Sequence, residues 1–348
     1  MIDADGRGQL LEINDLRVGF QGPSGTMQAV RGVTLDVAPG RVMGLVGESG
    51  SGKSVTAMSV LGLHDKRRVV QSGSIRLLGR DLLGLSDKEL TDIRGSVASM
   101  VFQDPMTALN PVLTLGRQLN GVIRAHQPEI SRGHATERAV ELLSLVNLPE
   151  PRTQLSRYPH ELSGGMRQRV MIAMAIANDP KLIIADEPTT ALDVTIQDQV
   201  LRVLKRAKEE TGAGVLLITH DLGVVAEMCD EVAVMYAGRI VETAWVQRLF
   251  ENPGHPYTKA LMRSRPLMSE RKPSLDAIPG MAASASSKID GCRFHPRCPL
   301  SDHSAGCDSI EPPLTGATGH LVACHRATWD GDGAAWTLPP EPGNEDMQ

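Results

Sequence analysis

Gly47-Glu48-Ser49-Gly50-Ser51-Gly52-Lys53-Ser54 is a spacing suited to holding phosphate. Its glycines let backbone N–H groups wrap the oxygens, Lys53 reaches the β and γ positions, and Ser54 offers a hydroxyl to Mg2+. All eight residues form the expected nucleotide-contact set. Leu182-Ile183-Ile184-Ala185-Asp186-Glu187 supplies what transfer of a phosphoryl group to water still requires. An apolar strand delivers Asp186 to the metal, and Glu187 stands beside it as a base for the attacking water. Alone, such a strand could equally end in a solvated acidic turn; Lys53 upstream favours catalysis. His220 closes another apolar run, Val215 to Thr219, where a histidine can donate to a γ-phosphate. Gln103 precedes Asp104-Pro105 and could contact metal or water; by itself it carries no signal. A second phosphate site is suggested by Leu162-Ser163-Gly164-Gly165-Met166-Arg167-Gln168-Arg169, a serine and a glycine pair opening a helix. Ser163 reads equally as a plain helix cap, and the two roles are compatible.

These groups need a scaffold, and the apolar pattern describes one. The runs Val42 to Val46, Leu182 to Ala185, Val215 to Thr219 and Val232 to Met235 each lead into polar or glycine-rich residues. They read as strands buried on both faces of a mostly parallel sheet. Between Gln103 and His160 the period becomes helical, with Ala139, Leu142, Leu143 and Val146 lining one face. This predicts a helical subdomain over about 104–160, inserted into an ATPase domain covering 1–250. Past Phe250 the chain turns proline-rich, with Pro253, Pro256, Pro266, Pro273 and Pro279, and then small-residue-rich from Ala282 to Ser287. An extension over 251–330 and a disordered tail over 331–348 are expected.

A chain of 348 residues, 41% hydrophobic, has ample material for a core. A formal net charge of −5 argues against nucleic acid as the main partner. No stretch approaches the ~18 apolar residues that a membrane-spanning helix needs. Met1-Ile2-Asp3-Ala4-Asp5 lacks the basic end and apolar core of a signal peptide, so a cytosolic protein is expected.

These motifs in this order resemble the ATP-binding-cassette ATPases. Carried over by residue, Walker A is Gly47 to Ser54, the Q-loop Gln103, the signature Ser163, Gly164 and Gly165, and Walker B Asp186 with Glu187. The D-loop is Ala191-Leu192-Asp193, the switch histidine His220, and Phe20 stands in for the adenine-stacking aromatic. The resemblance implies an α/β fold: a RecA-like, mostly parallel sheet, an antiparallel β subdomain and the inserted helical subdomain. It further implies ATP and Mg2+ as ligands, with ATP closed between the P-loop of one subunit and the signature of another. Phrases such as Gln103-Asp104-Pro105-Met106-Thr107-Ala108-Leu109-Asn110-Pro111 and Asn252-Pro253-Gly254-His255-Pro256-Tyr257-Thr258 narrow the likeness to the oligopeptide and dipeptide (peptide/nickel) importer group. That group implies a peripheral subunit on the inner face of a bacterial membrane. Its partners would be a related second ATPase, two permeases and an extracellular substrate-binding protein.

Four of the five cysteines, Cys292, Cys298, Cys307 and Cys324, lie in the extension. In a cytosolic chain clustered thiols point to metal rather than disulfides. Their spacing is unlike the close pairs of a zinc ribbon, and four thiolates suit an iron–sulfur cluster. The resemblance implies a [4Fe–4S] site in some members; Zn2+ and free thiols stay open, and His295, His303, His320 and His325 are possible replacement ligands. The expected role is structural, pinning a segment too poor in apolar residues to fold alone. Rival readings are a cassette for DNA repair or translation, a redox- or metal-sensing module, and a nickel importer. The first lacks the long heptads or second cassette it would need. The second is disfavoured by the intact Glu187 and His220. The third is left open, because cargo is chosen outside this chain.

Overall fold

The four runs that read as buried strands are neighbours in one sheet of the computed structural model, which describes residues 8–23, 25–190, 192–264, 278–283, 287–331 and 335–340. Val42–Val46 lies between Glu231–Tyr236 and Gly214–Thr219; Leu182–Asp186 follows, then Ala98–Val101, and these five strands are parallel. The side chains of Leu182–Asp186 alternate between two cores. Leu182 and Ile184 enter the cluster beneath the N-terminal β-sheet, while Ile183 and Ala185 enter the one shared with the helices. All four are fully buried. Burying one Leu or Ile contributes roughly 1.5–3 kcal/mol, so an uninterrupted apolar run is what a strand covered on both faces requires. Ala98–Val101 was not expected, since Ser99 breaks the apolar run and four residues give too little pattern.

A separate antiparallel sheet holds Gly25–Val37, Leu11–Gly22, Val69–Leu77 and Arg80–Asp81 in that order. It covers one face of the parallel sheet. The predicted helical region carries Pro105–Ala108, Leu115–His126, Arg132–Leu145 and Pro151–Gln154. Ala139, Leu142, Leu143 and Val146 are buried there as the spacing requires. Serine and threonine start the two longer helices: Thr114 accepts from Arg117 N and Ser131 from His134 N, satisfying backbone donors that the first turn leaves free.

The main sheet continues across the boundary expected near residue 250. His320–Val322 pairs antiparallel with Arg239–Trp245, and Thr315–Ala317 adds outside it, so the extension completes the main sheet. Glu242, fully buried, binds this arrangement together: its oxygens accept from Gly254 N (2.7 Å) and His255 N (2.9 Å), and His320 Nε2 lies 2.7 Å away. The tail is ordered further than expected, because Ala335–Thr337 pairs with Thr328–Asp330 and Trp336 is buried. Ala191 and the residues after 340 lie outside the described residues, as do Pro266 and Pro273. Among the described residues no helix is long and apolar enough to cross a membrane.

Candidate nucleotide site

The P-loop connects the end of Val42–Val46 to the helix Lys53–Val60. Gly47 turns the chain with φ 157°, and a Cβ there would meet Met235 O at 2.1 Å, so no other residue fits without moving the neighbouring strand. Lys53, 4% exposed, donates from Nζ to the carbonyls of Gly47 (2.8 Å) and Glu48 (3.0 Å). Burial pushes its pKa down, against the raising pull of Glu187, Asp186 and Glu48. Ser54 Oγ donates to Asp186 Oδ1 at 3.0 Å, which joins the two predicted magnesium ligands across the sheet. Burial raises the Asp186 pKa, and the bond from Ser54 offsets part of that rise. A hydroxyl and a carboxylate form a hard-oxygen donor set that fits Mg2+.

Glu187 adopts φ 45°, a conformation that costs a residue with a Cβ about 1–3 kcal/mol. The bend turns its carboxylate off the strand into a ring of donors. Thr190 Oγ1 donates to Oε2 at 2.8 Å, Gln103 Nε2 at 3.1 Å, and His220 Nδ1 lies 3.4 Å away. Gln103 and His220, named from separate strand ends, thus converge with Thr190 on one oxygen of Glu187. With Ala29, Ser49, Gly50, Gly52, Lys53, Ser54 and Val55, the residues Gln103, Glu187 and His220 line an open cleft of about 520 Å3. Thr190 was missed, although its place three residues after Glu187 was a readable signal.

Other expected residues fall elsewhere. Glu48 belongs to the P-loop, but its carboxylate turns away from the cleft toward Arg297. Phe20 does not line the cleft; its partly buried ring meets His64 edge-on at 5.5 Å. Ser163, Gly164, Gly165 and Asp193 also lie outside the cleft lining. Ser163 is exposed and caps the helix Gly164–Ala175 by accepting from Met166 N at 3.3 Å. Asp193 caps Val194–Thr211 in the same way through Ile196 N. The two helix starts touch, since a Cβ on Gly165 would meet Ile196 Cγ2 at 2.4 Å. Val194, 82% exposed, projects beside them.

Cys292, Cys298, Cys307 and Cys324 line one small cavity with His255, His295 and His325. Burial pushes the thiols up, Cys292 to about 11 and Cys298 to about 12. Among the described residues no group of three or more His, Cys, Asp or Glu side chains is placed to hold a metal ion. The thiols therefore converge without being drawn onto a single ion. Of the proposed substitute ligands, His320 is engaged by Glu242, His303 by Asp308, and His325 Nε2 donates to Ile310 O. His255 Nδ1 accepts from Tyr257 N, which places its proton on Nε2, and burial holds its pKa down at about 4.

A P-loop at the carboxyl edge of a parallel sheet, facing Asp186, Glu187, Gln103 and His220 with a separate Ser-Gly-Gly helix start, defines an ATP-binding cassette. A family model described as ABC transporter matches residues 30–190, and one described as oligopeptide/dipeptide transporter, C-terminal region, matches residues 241–307. The oligopeptide transport ATP-binding protein OppD of Mycobacterium tuberculosis is 51% identical over 91% of this chain and 52% of its own length. The chain thus spans about half of that relative. A probable peptide ABC transporter ATP-binding protein of Sinorhizobium fredii, y4tR, is 49% identical over 91% of this chain and 95% of its own. Among solved structures, a dimeric post-hydrolysis state of the ATP-binding cassette MJ0796 bound to ADP and Pi matches with a TM-score of 0.61 at 28% identity, over 68% of this chain and 98% of that one. The chain belongs to the family of ATP-binding proteins of oligopeptide and dipeptide ABC transporters.

Proposed function

We propose that the chain hydrolyses ATP to drive import of di- or oligopeptides, as a peripheral subunit at the cytoplasmic face of a bacterial inner membrane. The observation that carries the reading is the convergence of Gln103, Thr190 and His220 on the Glu187 carboxylate beside Lys53. Lys53 and the loop amides bind the β- and γ-phosphates. Ser54 and Asp186, with Gln103 in reach, would hold Mg2+, which neutralises charge developing on the phosphates. Glu187 takes the proton of the attacking water, and His220 orients the Glu187 carboxylate and reaches the γ-phosphate. Ser163, Gly164 and Gly165 serve the ATP of a second ATPase chain, a related partner, whose own signature faces this cleft; Asp193 lies at that junction. Two permeases complete the assembly and receive cargo from an extracellular binding protein.

Co-purification with its two permeases, followed by uptake into proteoliposomes, tests the assignment. ATP-dependent accumulation of a labelled di- or tetrapeptide is the expected result. Uptake of nickel with no peptide uptake would transfer the chain to the other cargo class of this transporter group.

The four thiols support a second element of this reading. They share one cavity, and a set of four thiolates, which zinc also takes, is here assigned to a [4Fe–4S] cluster. Cys292, Cys298, Cys307 and Cys324 would be its ligands, and it would supply a crosslink that fastens the extension. Protein purified without air should be brown, with a visible absorbance lost in Cys298→Ser. Colourless protein carrying stoichiometric zinc would decide for the alternative.

A further inference from the structure

Glu48 is the hinge on which the P-loop leaves its strand, and all three of its polar groups are held. Its carbonyl accepts from Lys53 Nζ at 3.0 Å and its amide donates to Tyr257 Oη at 2.8 Å. Its carboxylate receives both arms of the Arg297 guanidinium, Nη1 to Oε2 at 2.7 Å and Nη2 to Oε1 at 3.1 Å. Two of these three holds come from the cysteine extension. Arg297 lies between Cys292 and Cys298, and Tyr257 follows His255, which lines the thiol cavity.

Arg297 is built for this one contact. Its side chain is 6% exposed, and Nε donates to Pro279 O at 2.8 Å. The guanidinium lies over the Tyr236 ring at 5.8 Å and the Phe294 ring at 5.9 Å, while Nη1 also reaches Tyr236 Oη. A paired fork of this kind fixes direction as well as distance, which a lysine would not do. Tyr257 is fully buried among the same rings. The rigid aromatic group therefore grips a loop residue 249 positions away in sequence.

We infer that Arg297, acting through Glu48 with Tyr257 as its second support, is a positioning residue that holds the P-loop in its phosphate-cradling shape. This rests on the cleft being the nucleotide site. Arg297 touches no lining residue of the cleft other than through Glu48, so its loss should weaken the grip on phosphate and spare the hydrolytic group at Glu187.

The test is an equilibrium titration of the full chain with a fluorescent ATP analogue, together with turnover at saturating ATP. Arg297→Met is expected to raise Kd about tenfold, within the usual range of 5- to 150-fold for coupling between sites, and to leave saturated turnover within about twofold. Glu48→Gln should weaken binding similarly, and the double variant no more than the weaker single, because the two changes break one contact. Arg297→Lys should fall between. A Kd unchanged in Arg297→Met, or a double variant whose loss is the product of the singles, overturns the inference even if melting temperature drops. Should Arg297→Met not fold, Tyr257→Phe carries the same test, with a rise of about threefold expected and no change overturning it. Failure of the wild-type chain to bind the analogue would instead overturn the nucleotide reading itself.

Discussion

Replacing Glu187 by glutamine will leave ATP bound and lower its turnover by about 10²–10⁴-fold, the contribution of a positioned base. The substitution changes one atom of the side chain and nothing in the backbone. Its amide oxygen can still accept from Thr190 Oγ1 and Gln103 Nε2, which now meet at Glu187 Oε2, so the ring of donors keeps a centre. Glutamine meets the same cost at φ 45°, so strain does not differ between the two proteins. Lys53, Ser54 and Asp186, the residues proposed to hold phosphate and metal, keep their contacts with Gly47 O and with each other. What is lost is the ability to take a proton from water. Single-turnover release of phosphate, measured beside equilibrium binding of a fluorescent ATP analogue, separates the two effects. Undiminished hydrolysis would remove Glu187 from the mechanism, and equal loss of binding and turnover would make it a scaffold residue.

The parts of this site that could be read in the sequence are those in which one short segment carries both the residue and the element that places it. Gly47 to Ser54 states its own strand, loop and helix, and Leu182 to Glu187 states its strand and its carboxylates. Val215 to Thr219 does the same for His220. Ser163 announced a helix start, and it is one. What could not be read are contacts between segments distant in sequence. The Arg297–Glu48 fork and the Glu242–His320 pair depend on how the extension folds back. Its proline-rich composition suggested a separate unit because composition does not record strand pairing. His320–Val322 is three residues long, too short for a period, yet it joins the extension to the main sheet. The surroundings of Phe20 could not be read for a related reason: they depend on the register of Leu11–Gly22 against Val69–Leu77, which puts its ring against His64.

The register of the parallel sheet also explains why Gln103, Glu187 and His220 meet. Val46 pairs with Thr219, and Asp186 with Ile218, so the three strands end level with one another. Whatever follows each strand, Gly47, Glu187 or His220, therefore emerges at one edge. The helical region enters at the same edge through Gln103, just after Ala98–Val101, which pairs with Leu182–Asp186. A movement of those helices would pull on Gln103 and hence on its bond to Glu187, giving the subdomain a direct mechanical connection to the base.

Where two copies of this chain pair with each other, in the absence of the related partner, two individually inactive variants should restore activity to each other. In Ser163→Arg the P-loop is intact, but a bulky cation occupies the helix start meant for another chain's phosphate. In Lys53→Ala the signature is intact and the P-loop cannot hold the β- and γ-oxygens. Ser163 is exposed, and the buried Lys53 donates its ammonium to the Gly47 and Glu48 carbonyls and belongs to none of the apolar clusters, so neither change removes a hydrophobic core contact. If Ser163 acted only as a helix cap, its loss would cost about 1 kcal/mol of stability and each P-loop would work alone. Ser163→Arg would then hydrolyse ATP nearly normally. If the active site is shared across a two-fold interface, each variant alone should be nearly inactive. A mixture brings the good P-loop of one chain to the good signature of the other. With random pairing half the dimers are mixed and each has one working site, so about a quarter of wild-type activity should return. Crosslinking of differently tagged chains must confirm that exchange has occurred. A mixed dimer demonstrated in this way and still inactive would mean that Ser163 does not face a second chain's ATP.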